Sequence, residues 1–305
     1  METLKAISFL LFALSLTDAA KWTYERGAAT GPANWGDVAA ECDERRQSPI
    51  DFVHEDTISV SWKPFEFEGY DARTGSITRI NNNGHTAMME LDGFHSVSEG
   101  GLPTEYEALQ VHFHWGKTDA VGSEHTIDGK QFPLEMHIVH YAYISFNGSV
   151  RDAVGSGDPE ALAVLGVLFE IGEEDNEELA EIITGLTEIT AEGQHYIFQE
   201  SVSLIDLLPE DKSSFYRYNG SLTTPDCHQI VTWTVFTETV PISQSQMEQF
   251  RALTEGSGSE VHSIGDAFRP VQPVYDRDVF YNGAVLTTIP SLVFVMGLIM
   301  IHLIP

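Results

Sequence analysis

Basic residues are scarce in this chain of 305 residues: 16 Lys and Arg stand against 46 Asp and Glu, a formal net charge of −30. Such a surface repels phosphates, which argues against nucleic acid as a partner. It fits a solvated acidic face, and loose calcium binding at an outer surface is the other reading. The acid-rich stretch at 173–178 stands at the start of a helix-like segment, where it faces the positive end of the helix dipole and needs no ligand. Cysteine is nearly absent, with only Cys42 and Cys227. In an exported protein a pair invites a disulfide; in a reducing compartment the two are buried thiols. No Pro/Gly/Ser linker, internal repeat or low-complexity tract divides the chain. Its 42% hydrophobic content therefore suits one large core rather than two domains.

Long apolar runs are missing except at the two ends. Lys5 precedes an apolar stretch at 6–16, and Thr17-Asp18-Ala19 offers small residues where a secretory signal is cleaved. A short buried helix is the competing reading of 1–19. The other end, 289–305, is apolar and has no basic flank, with Asn282, Gly283 and Ala284 upstream. Small residues, a spacer and an apolar tail form the pattern of a glycosylphosphatidylinositol signal, whose tail is removed on attachment. A retained membrane span is the alternative, although about 17 residues is the low end for crossing a bilayer. The expected division is a signal peptide at 1–19, one domain at 20–282 and a hydrophobic tail at 283–305. Localisation follows as the secretory pathway and the extracellular face of the plasma membrane. Asn147 and Asn219 head glycosylation sequons.

Between the ends, short segments rich in Val, Ile, Thr and aromatics are broken by Gly, Asn, Asp and Pro, which reads as strands. Residues 176–187 fit an amphipathic helix through Leu179, Ile182, Ile183 and Leu186. The pattern predicts a mainly β (α+β) single domain with small peripheral helices. Within it, the run QVHFHW at 110–115 carries His112 and His114. A strand has a side-chain period of two, so both imidazoles leave one face while Val111, Phe113 and Trp115 leave the other. A pair of surface histidines is the plainer reading. A second strand-like run, FPLEMHIVHY at 132–141, places Glu135, His137 and Val139 on one face. Set antiparallel beside the first, it brings a third imidazole to the pair and leaves zinc's fourth position open, as in catalytic sites. Gln110 and Glu135, each two residues before a histidine, can accept the ring N–H turned away from the metal.

Further motifs are collinear with these: RQSPID at 46–51, NNGH at 82–85, GSEHTIDG at 122–129, SLTTP at 221–225 and FRPVQP at 268–273. Together they make the chain resemble the α-class carbonic anhydrases over roughly 22–280. The resemblance implies one large, twisted, mostly antiparallel central sheet and reversible hydration of carbon dioxide to bicarbonate and a proton. It implies Zn2+ on His112, His114 and His137, with Thr223 and Glu124 orienting the attacking hydroxide and Thr224 meeting substrate. Val139, Val164, Leu222, Val231 and Trp233 match the family's apolar pocket. His85 matches the proton shuttle, with Asn83 and Tyr24 ordering the water between. A Cys42–Cys227 bridge is also implied, tethering the Thr223 loop. His125 and His140 fall on faces suited to structural hydrogen bonding.

Two positions depart from the family pattern. Met88 replaces a polar amide beside the water chain. Ala267 replaces an asparagine whose backbone carbonyl supports a zinc ligand, a change the backbone role tolerates. Two other functions remain open from sequence: a non-catalytic binding module of the same fold, and a dual role in carbonate mineralisation to which the acidic surface is suited.

Overall fold

The computed structural model describes residues 22–72 and 77–283. The expected signal segment at 1–19 and nearly all of the expected tail at 283–305 lie outside the described residues. Among the described residues, no helix is long and apolar enough to cross a membrane.

The fold is organised on one 13-stranded mixed sheet, mostly antiparallel, as expected. Six strands carry the interior: β1 (Ala87–Leu91), β2 (Tyr106–Trp115), β3 (Leu134–Tyr141), β4 (Leu162–Gly172), β5 (Phe215–Gly220) and β6 (Val231–Phe236). Their spatial order is β1-β2-β3-β4-β6-β5, with β4 and β6 parallel and the remaining pairs antiparallel. β3 is buried along its full length, as expected of a strand covered on both faces.

The two faces carry two separate apolar cores. Val111, Phe113, Trp115, Met136 and Ile138 pack with the helices on one side. Val139, Val164, Leu168, Trp233 and Val235 pack on the other. The histidine pair leaves on this second face, so alternation is the device that separates structural from chemical residues.

One irregularity sets the phase. Ala108 pairs with His140 and Gln110 with Val139, so Leu109 is an extra residue in β2. Before this β-bulge, Glu107 meets Tyr141 on the second face, accepting a hydrogen bond from its hydroxyl at 2.9 Å. Ala108 belongs to the first core. After the bulge the parity inverts, and Gln110, His112 and His114 take the second face.

The expected helix at 176–187 forms as a 3-10 turn, Glu177–Leu179, running into an α-helix, Ala180–Glu188. Asn176 caps it by accepting from the Glu178 N–H at 3.0 Å. Leu179, Ile182 and Leu186 are buried, whereas Ile183 is only partly so. Asn147 stands exposed at a turn. Asn219 is exposed on β5, but Ser221 of its sequon is fully buried.

Cys42 and Cys227 form a disulfide spanning 185 positions of sequence. It ties the short N-terminal 3-10 turn Ala40–Asp43 to the loop that follows β5. A closed loop of this length stabilises by roughly 2–5 kcal/mol, mainly through the unfolded chain. The double substitution Cys42→Ser/Cys227→Ser should lower the guanidinium unfolding free energy by about that amount. An unchanged midpoint would mean that the tether is not a constraint on the unfolded chain.

Candidate metal centre

Register brings the three histidines together. His112 on β2 lies opposite His137 on β3, and His114 lies opposite Glu135. The ring centroids are 5.0 Å (His112–His114), 5.1 Å (His112–His137) and 4.6 Å (His114–His137) apart. One nitrogen from each lies within 4.8 Å of the others, a spacing suited to a single ion.

Each ring has its other nitrogen occupied. His112 Nδ1 meets Gln110 Oε1 at 2.9 Å, His137 Nε2 meets Glu135 Oε1 at 2.7 Å, and His114 Nδ1 meets the Ala267 carbonyl at 3.0 Å. These acceptors fix the tautomers, turning His112 Nε2, His114 Nε2 and His137 Nδ1 inward as lone-pair donors. His114 Nε2 is buried without any hydrogen-bond partner. A buried polar nitrogen costs free energy when left unsatisfied, and a metal ion would satisfy this one. Ala267 serves through its carbonyl, so its side chain is immaterial, as expected. Burial holds all three imidazoles below the ordinary 6.5, keeping them neutral and competent to ligate.

Behind the histidines, Glu135 is fully buried and accepts from the backbone N–H groups of Glu124 and His125 at 2.8 Å each, and from His125 Nδ1 at 2.7 Å. Burial alone raises its pKa, but His125 and His137 outweigh it and hold the carboxyl below its usual range. Gly166 faces His137 from β4. A Cβ there would come 3.3 Å from Glu135 Oε1 and 3.1 Å from Val235, so glycine keeps room for the carboxylate. His125 continues through Nε2 to the Tyr218 hydroxyl at 2.7 Å, which in turn meets Ser48 Oγ at 2.7 Å. His140 points to the opposite side, hydrogen-bonded to the Tyr70 hydroxyl. Both histidines are structural, as their faces suggested.

Thr223 and Glu124 converge from two loops. The Thr223 loop is pinned where the Ser221 N–H donates to Ser48 Oγ and the Trp233 indole N–H donates to the Ser221 carbonyl, each at 3.0 Å. Glu124 Oε1 accepts from the Arg269 backbone N–H at 2.8 Å. Glu124 Oε2 has no partner of full hydrogen-bond geometry, yet the Thr223 hydroxyl lies near enough to pull the carboxyl's pKa down. Burial and the Glu135 charge win, leaving Glu124 above the ordinary carboxylate range.

A narrow cavity of about 40 Å³ opens against His112 and His137, lined by Gln110, Val139, Val164, Leu222, Thr223, Thr224 and Trp233. Val231 does not reach it. That residue shares a face with Trp233 and is fully buried in the adjoining core. On the other flank, His85 stacks on Trp22 with centroids 3.9 Å apart. Tyr24 stands 6.5 Å from the rings of both His85 and His114. Asn83 Oδ1 accepts from the His85 N–H at 3.0 Å and the Thr86 N–H at 2.9 Å, shaping the turn that presents His85. Met88 lies directly opposite His112 in the β1–β2 register. Sequence reasoning missed Trp22, Gly166, Tyr218 and the side chain of Arg269. Of these only Trp22, two residues before Tyr24 in an aromatic pair, left a readable local signal.

Comparison with known proteins places this geometry in context. Residues 30–283 match the family model for eukaryotic-type carbonic anhydrase. The chain is 35% identical to carbonic anhydrase 4 of Rattus norvegicus over 293 residues, covering 93% of this chain and 92% of that protein. It is 35% identical to carbonic anhydrase 15 of Mus musculus, covering 90% and 87%. Carbonic anhydrase 12 of Homo sapiens is similar at 36% identity, covering 86% and 73%.

The buried imidazoles carry a pH consequence. His112, His114 and His137 all titrate below 6.5 when folded, and burial takes His140 down to about 4. As pH falls through 6.5 the unfolded chain binds protons that the native protein refuses, so stability declines. Glu124 and Glu255 oppose this, because their raised folded pKa values favour the native state at low pH. Four histidines against two carboxyls set the net sign. The metal-depleted protein should have a lower urea midpoint at pH 5.5 than at pH 7.5, and an equal or higher midpoint would contradict these directions.

Proposed function

The chain belongs to the eukaryotic-type carbonic anhydrases, and on that premise we propose that it hydrates carbon dioxide to bicarbonate and a proton, reversibly, at a zinc ion held by His112, His114 and His137. The observation that carries the reading is the unsatisfied, buried His114 Nε2 facing the inward nitrogens of the other two rings. When bound, zinc supplies a ligated water whose pKa falls to about 7, a value for which carbonic anhydrases are themselves the reference case.

The chain's own residues do the rest. Gln110, Glu135 and the Ala267 carbonyl hold the imidazoles in the required tautomers. Thr223 donates its proton toward Glu124, which leaves its oxygen only acceptor capacity for the reacting oxygen. A ligand without a proton on that atom is thereby disfavoured. Carbon dioxide offers little to a hydrogen-bonding site, and Val139, Val164, Leu222 and Trp233 give it an apolar wall. Thr224, at the same wall, meets substrate or bicarbonate. His85 takes the released proton outward through water ordered by Tyr24 and Asn83, and Trp22 holds the ring by stacking. Met88 places a thioether where a polar anchor for that water would otherwise stand, opposite His112.

We extend the proposal to the ends of the chain: a cleaved signal at 1–19, a catalytic domain at 20–282, and a lipid-anchor signal at 283–305. The apolar composition of both ends supports it, and the Cys42–Cys227 bridge suits an oxidising compartment. Asn147 is then the sequon available to carry glycan.

Three measurements test these readings. His137→Ala should lose bound metal, measured by elemental analysis, together with nearly all hydration activity; full activity in that variant would sink the zinc proposal. His85→Ala should lower kcat and leave kcat/KM for carbon dioxide nearly unchanged, with small imidazole buffers restoring much of the loss. Met88→Gln should likewise change kcat alone. An equal fall in both parameters for His85→Ala would put His85 in binding or folding instead. Treating intact cells with a phosphatidylinositol-specific phospholipase should release the enzyme, whereas recovery of a peptide spanning 293–300 from the mature protein would favour a membrane span.

A further inference from the structure

Of the seven methionines in the chain, Met88, Met89, Met136 and Met247 lie among the described residues. Met89, Met136 and Met247 have no accessible surface and belong to the first core. Met88 differs in both respects. It keeps 7% of its surface exposed, and it belongs to none of the apolar cores. Strand alternation accounts for this. On β1, Ala87 and Met89 are part of the first core and Leu91 packs against it, so Met88 and Glu90 turn the other way. Register sets Met88 opposite His112 and Glu90 opposite Gln110, and directly opposed residues share a face. The thioether therefore stands on the histidine face, one strand out from the metal centre. Its neighbour on that face, Glu90, is occupied by an ion pair with Arg79.

A thioether reacts with peroxides at sulfur, and access decides which methionine reacts first. The product is polar, and burying an unpartnered polar group among apolar side chains costs free energy. Sulfoxidation of Met89, Met136 or Met247 would therefore disrupt packing, whereas Met88 lies outside the cores and can carry the oxygen. We propose that Met88 is a site of oxidation by hydrogen peroxide to the sulfoxide, and that the modification alters turnover. In the step the peroxide O–O bond breaks and an S–O bond forms on Met88 Sδ. The sulfur gives up two electrons, and the second peroxide oxygen leaves as water with both protons. A thioether is a weak acceptor; the sulfoxide oxygen is a strong one, placed beside His112 as the amide of Met88→Gln would be. The modification itself does not depend on the proposed carbon dioxide hydration, but its effect on turnover rests on that reading.

The folded, metal-loaded enzyme, treated with dilute hydrogen peroxide and read by tandem mass spectrometry of its peptides, gives the first test. An added oxygen should accumulate on Met88 roughly tenfold or more faster than on Met89, Met136 or Met247. In guanidinium-unfolded protein that preference should vanish. The second test is kinetic. Enzyme oxidised at Met88 should differ in kcat by roughly twofold or more, in the same direction as Met88→Gln, with kcat/KM for carbon dioxide nearly unchanged. Met88→Leu has no sulfur at this position, so its kcat should not respond to peroxide. Equal oxidation of the four methionines, or faster oxidation of one in the core, would overturn the site. An unmoved kcat after Met88 is oxidised, or a peroxide response that persists in Met88→Leu, would overturn its effect on turnover. Neither result would touch the zinc reading, which His137→Ala tests by metal content.

Discussion

Burying the Glu135 carboxylate with no access to water obliges the surrounding chain to supply donors, and it supplies four. Two are backbone N–H groups of Glu124 and His125, and two are ring nitrogens of His125 and His137. An ionised carboxyl in such a place is tolerable only when its lone pairs are satisfied. Meeting that demand fixes much else at once. The loop at 122–125 must approach β3, which positions Glu124. His137 must donate through Nε2, which frees Nδ1. His125 must lie between Glu135 and Tyr218, which reaches Ser48 and, through it, the Thr223 loop. Both halves of the proposed centre therefore hang from a single anion.

A second buried charge frames the same loops from the opposite side. The Arg269 guanidinium donates to Gln47 Oε1 and to the carbonyls of Ser48 and Cys42, while its backbone N–H donates to Glu124. Burial lowers its pKa to about 10, and the residue stays charged at neutral pH. Gln47 reaches on to the Cys227 carbonyl, so Arg269 and the disulfide grip one junction. The polar half of the site is thus rigid through hydrogen bonds, whereas the wall of Val139, Val164 and Trp233 is rigid through packing. Each half suits the species it faces.

Much of the site was legible because strand periodicity is strict. Once β2 and β3 were recognised as strands, the facing of Gln110, His112 and His114, and of Glu135, His137 and Val139, followed without further information. The convergence of Thr223 on Glu124 was legible only through resemblance, since nothing local in the sequence encodes contacts across roughly a hundred residues, whereas the Cys42–Cys227 pairing was also suggested by the chain having just two cysteines. The same limit hid Tyr218, Ser48 and the Arg269 side chain. For Val231, period two gives the face of the strand but not the depth along it.

The bulge at Leu109 has a consequence for how such a site can vary. Side-chain chemistry on the two faces of β2 can change residue by residue, but which face is which depends on a count. Removing one residue there would return Gln110, His112 and His114 to the face occupied by Ala108, among the packed aromatics. Adding one elsewhere between the bulge and His112 would do the same. Substitutions can thus grade the centre up or down, whereas changes of chain length in this strand can only switch it. The segment from Ala108 to His112 is accordingly closed to the insertion or loss of a single residue.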